Sequence, residues 1–407
     1  MPISVLVVGA GPVGLMTALR LAQANVQVTC LEAEDSIIRS PRAMVYHPVV
    51  TSEFERSGIL ADVRARGSRS ESVCWKISKT GEVIAKLEMC AGDAKRREGL
   101  VIGQDNLSDI ILEHLNKYKH CKILYGHRVV ALEHGDSTMS HRQPRVTTIS
   151  GGSDTQQEFP ADYIVAADGG RSTIRHLLEI PFDGFTYEDD QLVAANLRIP
   201  QALASWSDAN FCVSPGSDWG LVARIKDNLW RMAYKEEQGL SEAQLRSRLP
   251  DKLSRLSGGQ TIENVQIEML TPYRLQQRCA ATFLKGRVVL AGDAAHLCNP
   301  FGAFGLTSGL LDAAALSDAL IAIHNGKASA DALDYYAAER RKVFTDVVNP
   351  LSQANKERLH DADPSTLGER DPFLRRVRAN DLQPCPRKQE FRQPMLATDM
   401  EQFFKST

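Results

Sequence analysis

The sequence predicts an α/β fold in which a parallel sheet flanked by helices is interleaved with a second, β-sheet-rich domain. Three observations lead to this prediction. The chain begins with an apolar strand, a glycine-rich turn and a helix. Two later apolar strands, at 161–167 and 286–291, each run into an Asp-Gly or Gly-Asp pair. The stretch between them is rich in β-forming and turn residues. With 407 residues, the chain is long enough for two or three domains.

The composition excludes several functional classes. The 48 Lys and Arg residues nearly balance the 50 Asp and Glu residues, for a net charge of −2, so no basic field for nucleic acid or an anionic membrane is expected. The eight cysteines lie far apart without metal-binding spacing, which is typical of reduced thiols in the cytoplasm. We also expect no metal, no secretory leader and no membrane span. Monomer and homodimer both stay open.

The first element is LVVGAGPVGL at 6–15, which contains the GxGxxG glycines Gly9, Gly11 and Gly14. Gly9 allows a tight turn, Gly11 lets backbone approach a pyrophosphate, and Gly14 lets the helix pack on the strand. The helix N-terminus directs free N–H groups at the anion. A second strand ends at Glu32, whose carboxylate would accept hydrogen bonds from a ribose diol and repel a 2′-phosphate. This Rossmann-like unit predicts a dinucleotide site, and the motif alone leaves FAD and NAD open.

Two further motifs separate those cofactors. The first is ADYIVAADGGRSTIR at 161–175, and the second is GRVVLAGDAAHLCNPFGAFGLTSGLLDA at 286–313. Together with GxGxxG, they make the chain resemble the class A flavoprotein aromatic hydroxylases, the para-hydroxybenzoate hydroxylase and phenol hydroxylase group. The resemblance covers residues 1 to about 345. It implies FAD as the cofactor and a glutathione-reductase-type FAD fold.

The resemblance also implies which residues bind FAD. Asp293 would accept from ribityl or ribose hydroxyls near the pyrophosphate, and Asp168 would hold the same region. A long helix at 306–324, with Gly326 just past its end, would direct its positive N-terminus at the flavin N1/O2 edge. The full predicted set is Gly9, Gly11, Gly14, Glu32, Arg42, Gln104, Asp168, Gly292, Asp293, Gly302, Gly305 and Leu306.

The expected catalytic residues are fewer. The resemblance implies that Pro300 places its carbonyl by the flavin face. Arg224 is our candidate for a cationic contact to substrate or flavin, and His47 is a candidate acid or base, with a structural histidine as the alternative. Aromatic residues of the second domain are candidates for a pocket over the flavin ring: Phe211, Trp219, Trp230 and Tyr234.

Three positions in the third motif qualify this assignment. Thr307 replaces the family's usual Asn, and Ala303 replaces the second Gly of its Pro-x-Gly-Gly string. Both substitutions are small and should fit. Cys298 is expected to be a buried filler, not a covalent attachment point for flavin.

The implied activity is that of a single-component monooxygenase. NADPH or NADH would reduce FAD in a transient visit, because only one dinucleotide fingerprint is present. O2 would then add at flavin C4a to give a hydroperoxide that hydroxylates an electron-rich, phenolic or aromatic small molecule. Two alternatives stay open: a flavin epoxidase or reductase acting on an isoprenoid or other apolar substrate, and a FAD-binding protein without turnover.

The expected domain boundaries follow the motifs. We expect a first FAD-binding part at 1–175, with about 73–100 joining the other sheet, and a substrate domain at 176–285. A second FAD-binding part with the long helix follows at 286–350. Residues 351–407 are expected to form an irregular tail, because the Pro, Arg and Asp residues of 362–396 show no helical period. A tail along the surface and partial disorder both stay open.

Overall fold

The computed structural model describes residues 2–39, 44–88, 99–134, 143–150, 155–200, 206–379 and 396–406. Its strands are β1 (Ser4–Val8), β2 (Gln27–Leu31), β3 (Val45–Tyr46), β4 (Ser68–Ser70), β5 (Ser72–Ile77), β6 (Val83–Glu88), β7 (Gly99–Val101), β8 (Cys121–Leu124), β9 (His127–Glu133), β10 (Arg145–Ser150), β11 (Gln156–Pro160), β12 (Tyr163–Ala166), β13 (Phe182–Arg198), β14 (Ala209–Val213), β15 (Gly220–Lys226), β16 (Leu229–Glu236), β17 (Gln266–Ala280), β18 (Leu284–Lys285), β19 (Val288–Leu290) and β20 (His296–Leu297).

The α-helices are α1 (Pro12–Gln23), α2 (Pro48–Arg56), α3 (Leu60–Arg66), α4 (Gln104–Leu115), α5 (Thr173–Leu177), α6 (Glu242–Leu256), α7 (Phe304–His324), α8 (Asp331–Val343), α9 (Asn349–Leu359), α10 (Pro364–Arg370), α11 (Pro372–Arg378) and α12 (Met400–Ser406). A 3₁₀ turn spans Gly292–Ala294, and a π-helical turn at Phe344–Val348 joins α8 to α9.

The FAD-type domain is built on a six-stranded sheet in the order β18-β19-β12-β1-β2-β8. All neighbours from β19 to β8 are parallel, and β18 adds an antiparallel edge. Helices α1, α4 and α7 pack together beside this sheet. The βαβ unit predicted from the glycine motif is therefore present, and the predicted α/β class is confirmed.

The second sheet has eight strands in the order β20-β17-β13-β16-β15-β14-β5-β6. All its pairings are antiparallel except that of β14 with β5. The two longest strands, β13 and β17, run between the domains, and β20 joins the loop after the Gly-Asp motif to β17. This pairing joins the loop after the Gly-Asp motif directly to the second sheet.

The two faces of the second sheet pack against different partners. On one face, α6 buries Leu245, Leu249, Leu253 and Leu256 against the strands. On the other face, the apolar residues contact Phe301 and the helices α9 to α11. A small sheet in the order β3-β7-β4 also meets this second face, where Met44 and Val101 pack against Ala223 and Ile225 of β15. A fourth sheet, β11-β10-β9, is an antiparallel meander.

Helix α7 is the long helix predicted at 306–324, and Gly326 follows its end with φ +66°. By length and composition, it is the one helix in the described part of the chain that could cross a membrane, yet it is largely buried inside the domain. Its Gly309 allows a close approach to α1, because a Cβ there would lie 2.8 Å from Val13 Cγ2. A helix packed on nearly every side is expected to be apolar all round.

The expectation of an irregular tail from residue 351 is wrong where the structure describes it. Residues 349–359, 364–370 and 372–378 are helical, and Leu359, Leu367, Leu374 and Val377 are buried. The two prolines of this stretch that the structure describes, Pro364 and Pro372, lie in first helical turns, where the missing N–H has no helical acceptor to bond. Short helices of this kind carry too few turns for a clear period.

Candidate active site

The glycine turn after β1 has the form that a dinucleotide needs. Gly9 has φ +103°, and a Cβ there would lie 2.4 Å from the Ala167 carbonyl oxygen. A Cβ on Gly14 would lie 2.0 Å from the Gly9 carbonyl oxygen. Gly11 differs, because its added Cβ would meet no described atom within 4 Å. Gly9 and Gly14 therefore serve close packing, whereas Gly11 borders open space at the N-terminus of α1.

Glu32 lies at the end of β2 and faces this turn. Its Oε2 accepts a hydrogen bond from the Ala10 N–H at 2.8 Å, and its Oε1 accepts from the Glu34 N–H at 3.0 Å. The carboxylate is thus held beside the glycine turn by backbone donors. This is the position from which an acid can bind the ribose hydroxyls of a dinucleotide.

Asp168 follows β12 and contributes a buried carboxylate. Its Oδ2 accepts from the Ile174 N–H at 3.1 Å, whereas its Oδ1 is buried without a hydrogen-bond partner among the described residues. Burial raises the pKa of Asp168, although hydrogen bonds from Ser172 and Ile174 oppose the rise. The unpaired Oδ1 is therefore an acceptor that is available to a donor outside the described residues.

The Gly-Asp motif forms the 3₁₀ turn after β19. Gly292 has φ +62°, and a Cβ there would lie 2.9 Å from Val13 Cγ2 on α1. The side chain of Asp293 is exposed beside this turn. Arg175 links the turn to the Asp168 loop by donating to the carbonyls of Ala294 at 2.8 Å and Gly170 at 2.9 Å. The three motifs therefore converge at the N-terminus of α1.

The loop before α7 is the next part of the site. Gly302 has φ +113°, and Ala303 adopts a left-handed conformation with φ +57°. The Pro300 carbonyl accepts from the Ala303 N–H at 3.1 Å, so it takes part in this tight turn. Beside Gly305, a Cβ would meet only the Cys298 sulfur, at 4.0 Å. The first turn of α7 continues with Leu306 and with Thr307, whose buried Oγ1 has no partner in the described part of the chain.

His47 is bound to this loop. Its Nε2 lies 2.6 Å from the Gly302 carbonyl oxygen, and its ring stacks on Phe304 with centroids 5.3 Å apart. Because a carbonyl oxygen only accepts, Nε2 carries the proton. Burial lowers the pKa of His47, which favours the neutral ring. The geometry is that of a histidine that positions the loop.

Of two other predicted FAD contacts, Gln104 and Arg42, the structure describes only Gln104. Gln104 is the first residue of α4, and the apolar residues Leu107, Ile110, Ile111 and Leu115 of that helix are buried. Arg42 lies outside the described residues.

The structure places Arg224 on the face of the second sheet that lies away from the FAD-type domain. Side chains alternate along a strand, and Arg224 shares its face of β15 with Val222, which packs under α6 away from the FAD-type domain. Arg224 is exposed and paired with Asp208. Its alternate neighbours, Ala223 and Ile225, are the ones that point toward the FAD-type domain.

The sequence analysis did not single out Arg231, a cation on the face of the second sheet that meets the FAD-type domain. It is 7% exposed and lies opposite Ala223 on β16. Its Nε donates to Asn196 Oδ1 at 2.6 Å. Burial lowers the pKa of Arg231 to about 10, against the opposing effects of Tyr273 and Asp105. A single arginine within the apolar strand LWRMAY was the available signal.

The predicted aromatic pocket is only partly supported by the packing. Trp230 and Tyr234 belong to the core under α6. Phe211 stacks on Trp75 at 5.3 Å, and Trp219 meets Phe301 edge-on at 5.8 Å, on the other face. Among the described residues, the apolar cluster that joins the small β3-β7-β4 sheet to the second sheet contains no aromatic residue: Met44, Val45, Val101, Ala209, Leu221, Ala223, Ile225 and Leu229.

Comparison with known proteins agrees with this geometry. Residues 2–350 match the family described as FAD binding domain. The chain is 40% identical over 365 residues to para-nitrophenol 4-monooxygenase of Pseudomonas sp. (strain WBC-3), covering 89% of this chain and 88% of that protein. It is 34% identical to 6-hydroxy-3-succinoylpyridine 3-monooxygenase HspB of Pseudomonas putida (strain DSM 28022 / S16), covering 88% of this chain and 90% of that protein.

A solved structure gives the same result for the fold. The crystal structure of p-nitrophenol 4-monooxygenase PnpA from Pseudomonas putida DLL-E4 superposes with a TM-score of 0.84 at 37% identity, covering 93% of this chain and 96% of that one. The resemblance found in the sequence is thereby confirmed, as are FAD as the cofactor and enzymatic function. The chain belongs to the FAD-binding-domain family, as a class A flavoprotein monooxygenase.

Proposed function

We propose that this FAD-dependent aromatic monooxygenase hydroxylates a small phenol in the chemical class of a nitrophenol, with NADH or NADPH and O2 as co-substrates. The observation that carries the proposal is the face of the second sheet around Arg231. There, one buried arginine stands among the aliphatic residues that meet Met44 and Val101. The relatives named as nitrophenol monooxygenases, at 40% and 37% identity, support the same class.

We assign the FAD-binding residues by position. Gly9, Gly11 and Gly14 with the N-terminus of α1 would hold the pyrophosphate, and Glu32 a ribose. Asp168, Gly292 and Asp293 would hold the ribityl region, and Gln104 would reach FAD from the start of α4. The resemblance implies a further FAD contact from Arg42. The α7 loop, with Pro300, Gly302, Gly305 and Leu306, would border the flavin ring. When bound and reduced, FAD supplies the activation of O2.

The protein residues have separate tasks in this proposal. Arg231, held by Asn196, favours the ionised phenol, because a cation in a dry pocket strongly stabilises an anion near it. The aliphatic residues exclude water and orient the ring. We assign His47 to holding the Gly302 carbonyl, not to proton transfer, because its Nε2 is already engaged there.

We further propose that FAD is bound without a covalent link. Burial raises the pKa of Cys298 to about 12, so its thiol stays protonated and is a poor nucleophile. The six cysteines in the described segments are all free thiols, which supports a reducing, cytoplasmic location.

The test is a substrate screen on the FAD-loaded protein. NADH and NADPH oxidation is measured with 4-nitrophenol, phenol, 4-hydroxybenzoate and an isoprenoid alkene, and products are identified by mass spectrometry. The proposal predicts stimulation and a hydroxylated product with 4-nitrophenol, and no stimulation by the isoprenoid alkene. Stimulation by the alkene with an epoxide product would contradict it.

A further inference from the structure

Behind the Gly292 turn lies a group of buried charges that the assigned FAD contacts do not include. Asp312 on α7 and Arg340 on α8 are both fully buried, and His296 is 1% exposed. Asp312 Oδ2 accepts from the Gly292 N–H at 3.0 Å and lies 2.7 Å from His296 Nε2. Its Oδ1 accepts from Arg340 Nε at 2.7 Å. One carboxylate therefore holds both the turn and the arginine.

Asp312 keeps its charge in this environment. Burial acts to raise the pKa of Asp312, but His296 and Arg340 together lower it to about 2. A buried charge of this kind depends on complete hydrogen bonding of its partner, because a guanidinium that loses acceptors in the interior is strongly destabilised. The other N–H groups of the Arg340 guanidinium therefore also need hydrogen-bond acceptors.

The C-terminal segment of the chain supplies two of these acceptors. Arg340 Nη1 donates to the Leu396 carbonyl at 2.6 Å and to Thr398 Oγ1 at 3.3 Å. Its Nη2 donates to the Ser308 carbonyl at 3.2 Å and to the Ser308 hydroxyl at 3.1 Å. Two of its acceptors thus come from a segment that lies 56 residues further along the chain.

This segment is fastened by apolar contacts. Leu396 is 1% exposed and Met400 is 3% exposed, and both belong to the core of the FAD-type domain. Phe403 packs against Tyr335 of α8, with ring centroids 5.3 Å apart. We call residues 396–404 the C-terminal strap.

We propose that the C-terminal strap, acting through Arg340 and Asp312, holds the Gly292 turn in its FAD-binding conformation, so that FAD affinity depends on docking of the strap. Arg340 and Asp312 are positioning residues in this scheme. The connection consists of direct contacts from the Leu396 carbonyl to the Gly292 N–H. Because coupling of two binding events is reciprocal, FAD should also stabilise the docked strap.

The first experiment measures FAD affinity of the apoprotein by titration. Leu396→Glu places a charge in the core and should expel the strap. It is expected to raise the Kd for FAD at least tenfold. Gln402→Glu changes an exposed residue of the same segment by the same charge and should leave the Kd unchanged. If Leu396→Glu lowers the thermal midpoints of the apo and FAD-bound forms equally, with the Kd unchanged, the strap is only structural and the proposal is wrong.

The second experiment uses the unaltered protein, so it does not depend on the folding of a variant. Hydrogen–deuterium exchange is followed by mass spectrometry with and without FAD. The proposal predicts slower exchange in 396–404 when FAD is added, with no change in 242–256 of α6 on the far sheet. Equal exchange of the strap in both states would overturn it. Neither readout involves the hydroxylation substrate, so a wrong phenol assignment would leave this test intact.

Discussion

Val13 and Gly292 lie in contact where helix α1 meets the Gly-Asp turn. A Cβ on Gly292 would lie 2.9 Å from Val13 Cγ2 and 3.2 Å from Val13 Cγ1. Gly292 also has φ +62°, a conformation that L side chains rarely adopt. The relative position of two FAD motifs, which are nearly 280 residues apart in the chain, thus depends on a missing methyl group.

Gly292→Ala should therefore reduce both stability and FAD binding. Left-handed strain together with overpacking is expected to lower the free energy of unfolding by about 2–4 kcal/mol. Gly239→Ala is the matched control, since Gly239 has φ +79° with no described atom near its Cβ position. It should lose about 1 kcal/mol from strain alone. Urea unfolding of the two apoproteins measures the difference, and equal losses would contradict the contact.

Ala303→Gly should stabilise the protein. Ala303 is a non-glycine residue at φ +57°, where the resemblance implies glycine. Relief of left-handed strain is expected to raise the free energy of unfolding by about 0.5–1 kcal/mol. Ala338→Gly, at an exposed position inside α8, should have the opposite effect, a loss of about 1 kcal/mol. A destabilised Ala303→Gly variant would show that the methyl group makes a contact that outweighs the strain.

Asp168→Asn should weaken FAD binding without lowering the stability of the apoprotein. The folded-state pKa of Asp168 is raised, so its contribution to stability is fully present below the unfolded pKa of an aspartate, about 3.9, and is lost as pH rises through the folded pKa. At neutral pH, the apoprotein of the Asp168→Asn variant should be at least as stable as the apoprotein of the unaltered chain.

The same variant should bind FAD at least tenfold more weakly, because the amide lacks the charge that strengthens a hydrogen bond to a ligand hydroxyl. Chemical unfolding at several pH values and FAD titration measure the two effects. The stability gain should shrink as pH falls toward 4. A gain that grows instead would mean that the carboxylate is ionised with favourable partners.

Arg231→Met should impair the reaction more than Arg224→Met. Arg231 lies on the face toward the FAD-type domain, whereas Arg224 is exposed on the other face. Loss of the buried cation is expected to weaken binding of the ionised phenol by about 2 kcal/mol or more, roughly thirtyfold in kcat/KM. The pH profile of kcat/KM should also shift to higher pH, because the phenol must then ionise without a nearby cation. Equal kcat/KM values for the two variants would contradict the proposed role of Arg231 in stabilising the ionised phenol.

Much of the FAD-binding part was predictable because each motif has a local physical reason. Gly9 and Gly14 are needed by the turn itself, and Gly326 ends α7 as its φ +66° requires. The face of a strand in the second sheet was not predictable in this way. Arg224 and Arg231 both occur in β-rich sequence, and only the register of β15 against β16 shows which one faces the cofactor domain. The link from Arg340 to Leu396 is likewise invisible in the sequence, because it joins distant residues through a main-chain carbonyl.

The proposed hydroxylation of a small phenol is tested most directly by oxygen labelling. The FAD-loaded protein is supplied with NADH or NADPH, 4-nitrophenol and ¹⁸O2, and the product mass is measured beside the rate of nicotinamide oxidation with and without the phenol. The proposal predicts oxidation at least tenfold faster with the phenol and one ¹⁸O atom in the hydroxylated product. Equal oxidation rates, or a product whose new oxygen comes from water, would contradict it.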